Sequence, residues 1–365
     1  MKICFVLGGL KSGGIGRVVS ILANRLAKQY EDCEVHILTT CPPEENEIYK
    51  LDPIIKRDYL VEEYTSMKKI LFRFTRRLRK YLKENNIDIV IGCGNIYYLP
   101  VLLASQCISK NICWEHSNVY NNNDNQGQTI LRKLASRFSN KVVTLTETDR
   151  KGYIEKFNAR RVHKIYNPVD SKLFNYKNDT KNINPKTRKI ITVGRLSYQK
   201  QLEIIPKIAN EFIRNYNDCV WHIYGSGELE KEIKKEIKKY NLEEKIILKG
   251  QVSNLYELYS DYSLIVMTSR YEGFPMTLLE GAANGLPMVS FNILTGPNEI
   301  IENGVNGFLI KPFNVKDIAS KIDTILSNDK VRENMSRESI KTAKLFNEEK
   351  IVEEWYELLQ TIIEE

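Results

Sequence analysis

Leu264 to Glu280 reads LIVMTSRYEGFPMTLLE. Leu264–Met267 is short, wholly apolar and bounded by polar residues, the pattern of a strand buried on both faces. Gly273 and Phe274 form a loop. A helix over Met276–Asn284 is entered through Pro275, a residue favoured at the first helical position. A buried strand that feeds a helix through a tight loop is the building unit of a parallel, doubly wound sheet. The first N–H groups of that helix, such as those of Met276 and Thr277, lack intrahelical acceptors and carry partial positive charge, which suits a diphosphate. Glu272 and Glu280 stand eight residues apart, bracketing the helix start. The first can accept hydrogen bonds from sugar hydroxyls and the second from ribose hydroxyls. The plain alternative is one acid before a helix and another on its solvent face.

The same alternation extends in both directions. Upstream in this half, Ile190–Val193 is a strand and Leu202–Tyr216 a helix. Val220–Tyr224 is a strand that ends in GSGEL, followed by a helix over Leu229–Tyr240 and a strand over Ile246–Leu248. Downstream, Met288–Phe291 is a strand, and the chain reads as helical from Ser320 to its end. The first half repeats the pattern: strand Ile3–Leu7, helix Val18–Gln29 and strand Val35–Thr39, then strand Ile87–Ile91 after a long helical stretch. Leu99–Gln106, Asn111–Trp114, Gln128–Phe138 and Lys141–Leu145 continue it. Asp170–Lys189 is polar and rich in Asn and Lys, the composition of a linker. Asn121–Asn125 reads as a loop. The expected fold class is α/β, with two Rossmann-like doubly wound domains facing across a cleft and ligand at the carboxyl ends of strands. The expected boundaries are 1–170, a linker over 171–189, a second domain over 190–345, and a closing helix over 346–365 that packs back on the first domain.

Composition narrows the class. The 365 residues suffice for two domains, and 42% hydrophobic with 27% charged residues is a globular balance. The net charge of +8 suits an acidic small-molecule ligand, an anionic membrane surface or nucleic acid. No nucleic-acid module accompanies the charge, so nucleic acid is not an expected partner. Seven irregularly spaced cysteines form no C-x-x-C pair, so free thiols and a reducing, cytoplasmic setting are expected. The four histidines form no zinc pattern. Met1 leads directly into an apolar strand, without the features of a signal peptide. No apolar run reaches the roughly 18 residues of a spanning helix. Location is expected to be cytoplasmic, with possible peripheral contact at the inner face of the plasma membrane.

SRYEGFPMTLLE resembles the E-x7-E segment of family 4 of the glycosyltransferases, retaining enzymes of the GT-B fold. Val193-Gly-Arg195-Leu-Ser-Tyr-Gln-Lys200 resembles the GRL…K segment of that family. Leu7-Gly-Gly-Leu-Lys-Ser-Gly13-Gly14-Ile-Gly16-Arg17 resembles its first-strand glycine loop. That loop is neither a dinucleotide fingerprint, since Val19 stands where the third glycine belongs, nor a P-loop, since Gly14 stands where lysine belongs. Trp114-Glu115-His116 places a histidine where the family often has one facing the donor sugar. Tyr166–Asp170 is similar to the family's domain-boundary motif, Gly225-Ser-Gly227 to its second-domain turn, and Thr295–Ile301 and Asn306–Phe308 to later segments. The resemblance covers nearly the whole chain, with its most specific motifs in 190–310. One departure is Pro275, where many members have glycine; it removes one N–H donor.

The resemblance implies His116, Arg195, Lys200 and Glu272 as catalytic residues. It implies donor contacts from Gly14, Arg195, Lys200, Val252, Glu272, Gly273, Phe274, Met276, Thr277 and Glu280, with backbone groups around Gly250–Val252 placed to read a uracil. Arg195 and Lys200 flank a strand-to-helix turn, where a guanidinium fork and a mobile ammonium can grip one diphosphate. No Asp-x-Asp motif occurs, and neither a metal nor a cofactor is expected beyond the nucleotide-sugar cosubstrate. The implied reaction moves a hexose or N-acetylhexosamine, with retention and without a metal, from a nucleotide sugar to a saccharide or lipid-linked acceptor in bacterial surface polysaccharide synthesis, such as capsule or lipopolysaccharide. UDP-sugar is favoured over GDP-mannose. A non-catalytic nucleotide-sugar-binding accessory subunit is the alternative, and an epimerase of the same shape a third reading.

Ser66–Lys83, SMKKILFRFTRRLRKYLK, carries eight cations and no acid. Ile70, Leu71, Phe74, Leu78, Tyr81 and Leu82 recur at helical spacing. A basic amphipathic helix of this kind can lie on an anionic membrane; otherwise it packs on the core and presents a solvated basic face.

Overall fold

A computed structural model of the chain describes residues 1–10, 13–43, 47–121, 126–175, 188–252 and 255–365. It divides into two compact units, Met1–Pro168 with Glu348–Glu365, and Val169–Asn347.

In the first unit the elements run β1 (Lys2–Leu7), α1 (Gly14–Gln29), β2 (Glu34–Thr39), β3 (Lys56–Tyr59), α2 (Met67–Glu84), β4 (Ile89–Cys93), α3 (Tyr98–Ser105), β5 (Lys110–Trp114), α4 (Gln126–Phe138), β6 (Lys141–Thr144), α5 (Glu147–Phe157) and β7 (Val162–Lys164). The sheet is parallel throughout, in the order β3-β2-β1-β4-β5-β6-β7. Its central strands are apolar because both faces are covered: every residue of Ile3–Leu7 and of Ile89–Cys93 is buried.

The second unit repeats the scheme. It holds α6 (Lys172–Asn175), β8 (Lys189–Val193), α7 (Ile205–Asn210), β9 (Val220–Tyr224), α8 (Glu230–Lys239), β10 (Ile246–Gly250), α9 (Leu255–Leu258), β11 (Leu264–Met267), α10 (Met276–Ala283), β12 (Met288–Phe291), α11 (Pro297–Ile300), β13 (Gly307–Ile310), α12 (Val315–Ser327) and α13 (Asp329–Lys344). Its parallel sheet runs β10-β9-β8-β11-β12-β13. In each sheet the order reverses once, between β1 and β4 and between β8 and β11. Loops diverge there, and the carboxyl ends of those strands leave a crevice.

The last helix, α14 (Glu348–Glu364), belongs to the first unit. The Tyr356 ring stacks on Tyr30 at 3.6 Å, its hydroxyl bonds Asp32 at 2.9 Å, and Trp355 meets Trp114 at 4.6 Å.

Several expectations need correction. The helix expected over Leu202–Tyr216 is three pieces: 3-10 turns at Leu202–Ile204 and Ile213–Asn215 flank the six residues of α7. Pro206 cannot donate back to Leu202, so the α-helix has to start beside it. The terminal stretch read as helical from Ser320 is preceded by β13 and starts at Val315, where Asn314 caps the amide of Asp317 at 3.1 Å. The linker expected from 171 begins later than that. The Val169 amide bonds Phe346 O at 2.9 Å, and Leu173 is buried, which ties 169–175 to the second unit. Residues 176–187 of that linker, most of the Asn-rich loop, and Lys11 and Ser12 of the glycine loop lie outside the described residues. All seven cysteines are free thiols.

Candidate active site

Two loops meet at the switch point of the second sheet. The first leaves β8 as Gly194–Lys200. Its path is set by backbone packed on backbone. Gly225 sits at φ +139°, and a Cβ there would lie 1.9 Å from Gly194 O; at Gly227 a Cβ would lie 2.4 Å from Leu196 O. Only glycine permits that approach. The amides of Gly194 and Leu196 close it, bonding Tyr224 O at 2.9 Å and Ser226 O at 3.0 Å. Arg195 is thereby turned outward and exposed, with no side-chain partner among the described residues. The stem of Lys200 runs over Gly194, where a Cβ would stand 3.3 Å from its Cγ and Cδ.

The second loop, Thr268–Pro275, leaves β11 and is stitched to the first. Thr268 Oγ1 donates to Lys200 O at 3.1 Å, the Arg270 amide to Gln199 O at 2.8 Å, and Gln199 Nε2 to Tyr271 O at 3.1 Å. These bonds bring Lys200 Nζ to 2.6 Å from Glu272 Oε1, which also accepts the Ser269 hydroxyl at 2.6 Å. The Thr295 hydroxyl holds Glu272 O at 2.6 Å. Gly296, at φ +98°, passes so close that a Cβ would lie 2.7 Å from Pro275 Cδ and 3.1 Å from Gly273 O. The Thr295-Gly296 pair thus shapes the acidic loop from behind. Arg270 is engaged elsewhere, by Glu203 at 3.0 Å and over the Tyr198 ring at 4.3 Å.

Pro275 is the N-cap of α10 rather than its first helical residue. Its carbonyl accepts from Leu278 at 3.1 Å, and the amides of Met276 and Thr277 precede that first helical bond. The lost proline N–H is therefore one that lies outside the helix. Gly273 is half-buried, Phe274 buried, and Phe274 packs on Phe346 at 5.6 Å. Glu280 is not on a solvent face. It is 1% exposed and accepts the Tyr259 hydroxyl at 2.9 Å on Oε2. α10 is covered almost all round, with seven of its eight residues buried, so no solvent face exists at that position. Val252 is half-buried two residues past β10, whose last residue, Gly250, accepts the Gly225 amide at 2.9 Å. Within this unit the fold thus joins Lys200 to Glu272 directly, sets Arg195 on the same loop as Lys200, and ties Glu280 to the segment that follows Val252. Ser269, Thr295 and Tyr259 were not singled out by sequence reasoning. Tyr259 has no spacing signature, whereas Ser269 and Thr295 lie in segments already recognised.

The first unit holds the other two expected residues. α1 starts at Gly14, which is exposed; Gly13 before it takes φ 103°. A Cβ on Gly14 would meet no protein atom within 4 Å. His116 follows β5 and lies on the Trp114 ring at 4.3 Å. Its Nε2 is buried and has no hydrogen-bond partner among the described residues. Burial pushes its pKa down to about 3, against the opposing charge of Glu115, so the ring is neutral at ordinary pH. Beside it lies a cluster that sequence reasoning missed. Glu115 is buried and accepts Arg132 Nε at 2.7 Å, the Tyr153 hydroxyl at 2.7 Å, and the Ser117 hydroxyl and amide at 2.5 and 3.0 Å. Burial alone would raise the Glu115 pKa; Arg132 and these donors outweigh it and hold the carboxylate ionised. Arg132 Nη2 also reaches Ser117 Oγ at 2.9 Å, so the turn that carries His116 is clamped on both sides.

The chain is similar to known proteins along its whole length. A 29% identical relative is an uncharacterized glycosyltransferase of Haemophilus influenzae, with 97% of this chain and 98% of that one aligned. A 27% identical relative, aligned over 99% of both chains, is a Campylobacter jejuni α-1,4-N-acetyl-D-galactosaminyltransferase whose name specifies a diphospho-undecaprenol-linked saccharide. Staphylococcus aureus TarM, solved as a mutant in complex with fondaparinux, α-GlcNAc-glycerol and UDP, superposes with a TM-score of 0.82 at 18% identity, covering 98% of this chain and 99% of that one. Two family models match, Glycosyltransferase Family 4 over residues 12–173 and Glycosyl transferases group 1 over residues 176–342. With both halves matched in sequence, and two parallel sheets each reversing once, the chain belongs to family 4 of the glycosyltransferases and has the GT-B fold.

Proposed function

We propose that this glycosyltransferase moves a hexose or N-acetylhexosamine from a UDP-sugar to a glycan or lipid-linked acceptor, with retention at the anomeric carbon and without a metal ion. The observation that carries the reading is the 2.6 Å pair between Lys200 Nζ and Glu272 Oε1, held by loops from two strands beside the amino end of α10. A diphosphate arriving there meets the exposed Arg195, the Lys200 ammonium and the early amides of α10. Lys200 then exchanges a carboxylate for phosphate oxygens, and Glu272 becomes available to sugar hydroxyls. Positive groups aimed at the leaving diphosphate stabilise the charge that grows on it in the transition state. The neutral His116 ring is assigned to the sugar rather than to proton transfer, because its depressed pKa leaves it a poor acid and base at neutral pH. No side chain is assigned as a nucleophile. The displacement is proposed to occur on the front face, with the departing phosphate taking the acceptor proton. Gly14 is assigned to the donor phosphate or the acceptor, Val252 to the base, and Glu280 to the ribose. The names of the Campylobacter relative and of the TarM complex support an α-linked product, a UDP donor and a polyprenyl-linked or glycan acceptor.

The test is product analysis with radiolabelled UDP-glucose, UDP-galactose, UDP-N-acetylglucosamine and UDP-N-acetylgalactosamine, with and without EDTA. An α-anomeric product by NMR, unaffected by EDTA, is expected from one of them. A β-linked product would overturn retention, and loss of turnover in EDTA would overturn metal independence. Tight donor binding with no transfer to any acceptor would favour the accessory-subunit reading.

A further inference from the structure

The helix α2 divides its residues unequally. Phe74, Leu78 and Leu82 are buried in a core with Cys4, Val6 and Leu38, and Ile70 and Tyr81 pack at its edge. Tyr81 also bonds His36 at 2.9 Å. The apolar stripe that would lie in a bilayer is therefore already committed to the protein, and contact through that stripe is ruled out. The opposite face is different. Lys68, Lys69, Arg73, Arg76, Lys80 and Lys83 are exposed; the one acid of α2, Glu84, is its last residue and meets Lys80 at 3.6 Å. Arg79 is tied down by Ala104 O and Gln106 O at 3.0 and 2.9 Å, and Arg77 lies over the Tyr59 ring at 5.0 Å. Amid the exposed cations stands Phe72, 82% exposed. At 3.6 residues per turn, Lys68, Lys69, Arg76 and Lys83 all fall within about 60° of it around the helix, and the row of cations is about 22 Å long.

We infer that this face docks on an anionic lipid bilayer, with Phe72 as its single apolar anchor. A soluble polyanion would satisfy the lysines and arginines but would give a protruding phenyl ring nothing. A bilayer interface supplies both: a plane of phosphates for a row of cations, and an apolar layer just beneath it for one ring. The face is independent of the transferase chemistry, and its test does not use activity.

The experiment is co-sedimentation of the full chain with vesicles of phosphatidylglycerol and phosphatidylcholine, or of phosphatidylcholine alone, at low and high salt. Wild type is expected to bind the anionic vesicles at low salt and to be released by salt. The quadruple variant K68E/K69E/R73E/R76E, all exposed sites, should bind about 100-fold more weakly. Phe72→Ala should weaken binding about tenfold. Phe72→Trp should bind with a blue-shifted emission seen only with vesicles, and circular dichroism should show each variant folded. Failure of wild type to sediment at low salt would overturn the inference, as would equal binding by the quadruple variant. An unshifted emission from the Phe72→Trp variant at saturating vesicles would overturn the anchor. Tighter binding to an oligonucleotide at equal phosphate concentration would overturn the choice of partner.

Discussion

Each half of the chain sets one carboxylate–cation pair beside its candidate site residues, and the two pairs are built to opposite ends. Glu115 and Arg132 are each 1% exposed, and both Glu115 oxygens are filled by donors from four groups of its own unit. Lys200 and Glu272 are 20% and 7% exposed by side chain, and Glu272 Oε1 receives two donors among the described residues, Lys200 and Ser269. A buried pair with every lone pair used is rigid, and removing one partner strands a charge. A pair on two loops beside the amino end of α10, with fewer donors to hold it, is the one proposed to trade partners when an anion arrives. The first pair is framework for the turn bearing His116, and the second is machinery under the proposed function.

The comparison breaks most sharply through Glu115→Ala. It should lower unfolding stability by about 3–5 kcal/mol, measured by urea denaturation, because Arg132 is left buried and unpaired. Lys200→Ala and Arg195→Ala should each lower turnover about 100- to 1,000-fold. They should change the unfolding free energy by no more than about 1 kcal/mol. Near-normal turnover in either would sink the donor-site assignment, and a large stability loss in Lys200→Ala would make its pair framework too.

A neighbouring acid sharpens the first half of the contrast. Asp149 accepts the Val119 amide at 2.9 Å and shares a 2.6 Å bond with Thr146, but no ion pair joins it among the described residues, and burial, outweighing these bonds and the charge of Arg132, pushes its pKa from 3.8 up to about 7. Between those values the native chain holds a proton that the unfolded chain has lost. Its contribution is therefore present in full below pH 3.8 and is lost as pH rises through about 7. Asp149→Asn keeps the acceptor without the charge. Compared with wild type, it should gain about 2–4 kcal/mol of stability between about pH 4 and about pH 8. Parallel unfolding curves across that range would refute the assignment. The smallest effect is expected from Ser269→Ala. Ser269 positions Glu272 through one oxygen, so kcat/KM should fall about tenfold with stability unchanged to within about 1 kcal/mol. A change confined to stability would make Ser269 structural.

How much was legible followed burial. The central strands announced themselves because both faces are covered; β9, β11 and β12 were placed without error, and β1, β5 and β6 within one residue. The strands that went unread are β3, β7 and β13, and all three are sheet edges. Lys56-Arg-Asp-Tyr59 pairs on one side only and faces water, so it needs no apolar pattern. Glycines were readable as loops but not as causes. Only the fold shows that Gly225 and Gly227 admit the backbone of Gly194–Leu196, and that Gly296 braces Glu272–Pro275.

By itself the sequence determined the α/β class, the two-fold repetition of strand and helix, and the segments that hold Arg195, Lys200, Glu272 and Glu280. Those follow from local periodicity and from residues close in the chain, which any fold must respect. The tertiary structure decided which charges meet. It set Lys200 against Glu272 across 72 positions, buried Glu280 on a helix with no free face, and enclosed Glu115 with Arg132 and Tyr153. It also turned the apolar stripe of α2 inward and left Phe72 among lysines and arginines. Such pairings depend on distances between residues remote in sequence, and burial then sets the strength of each charge.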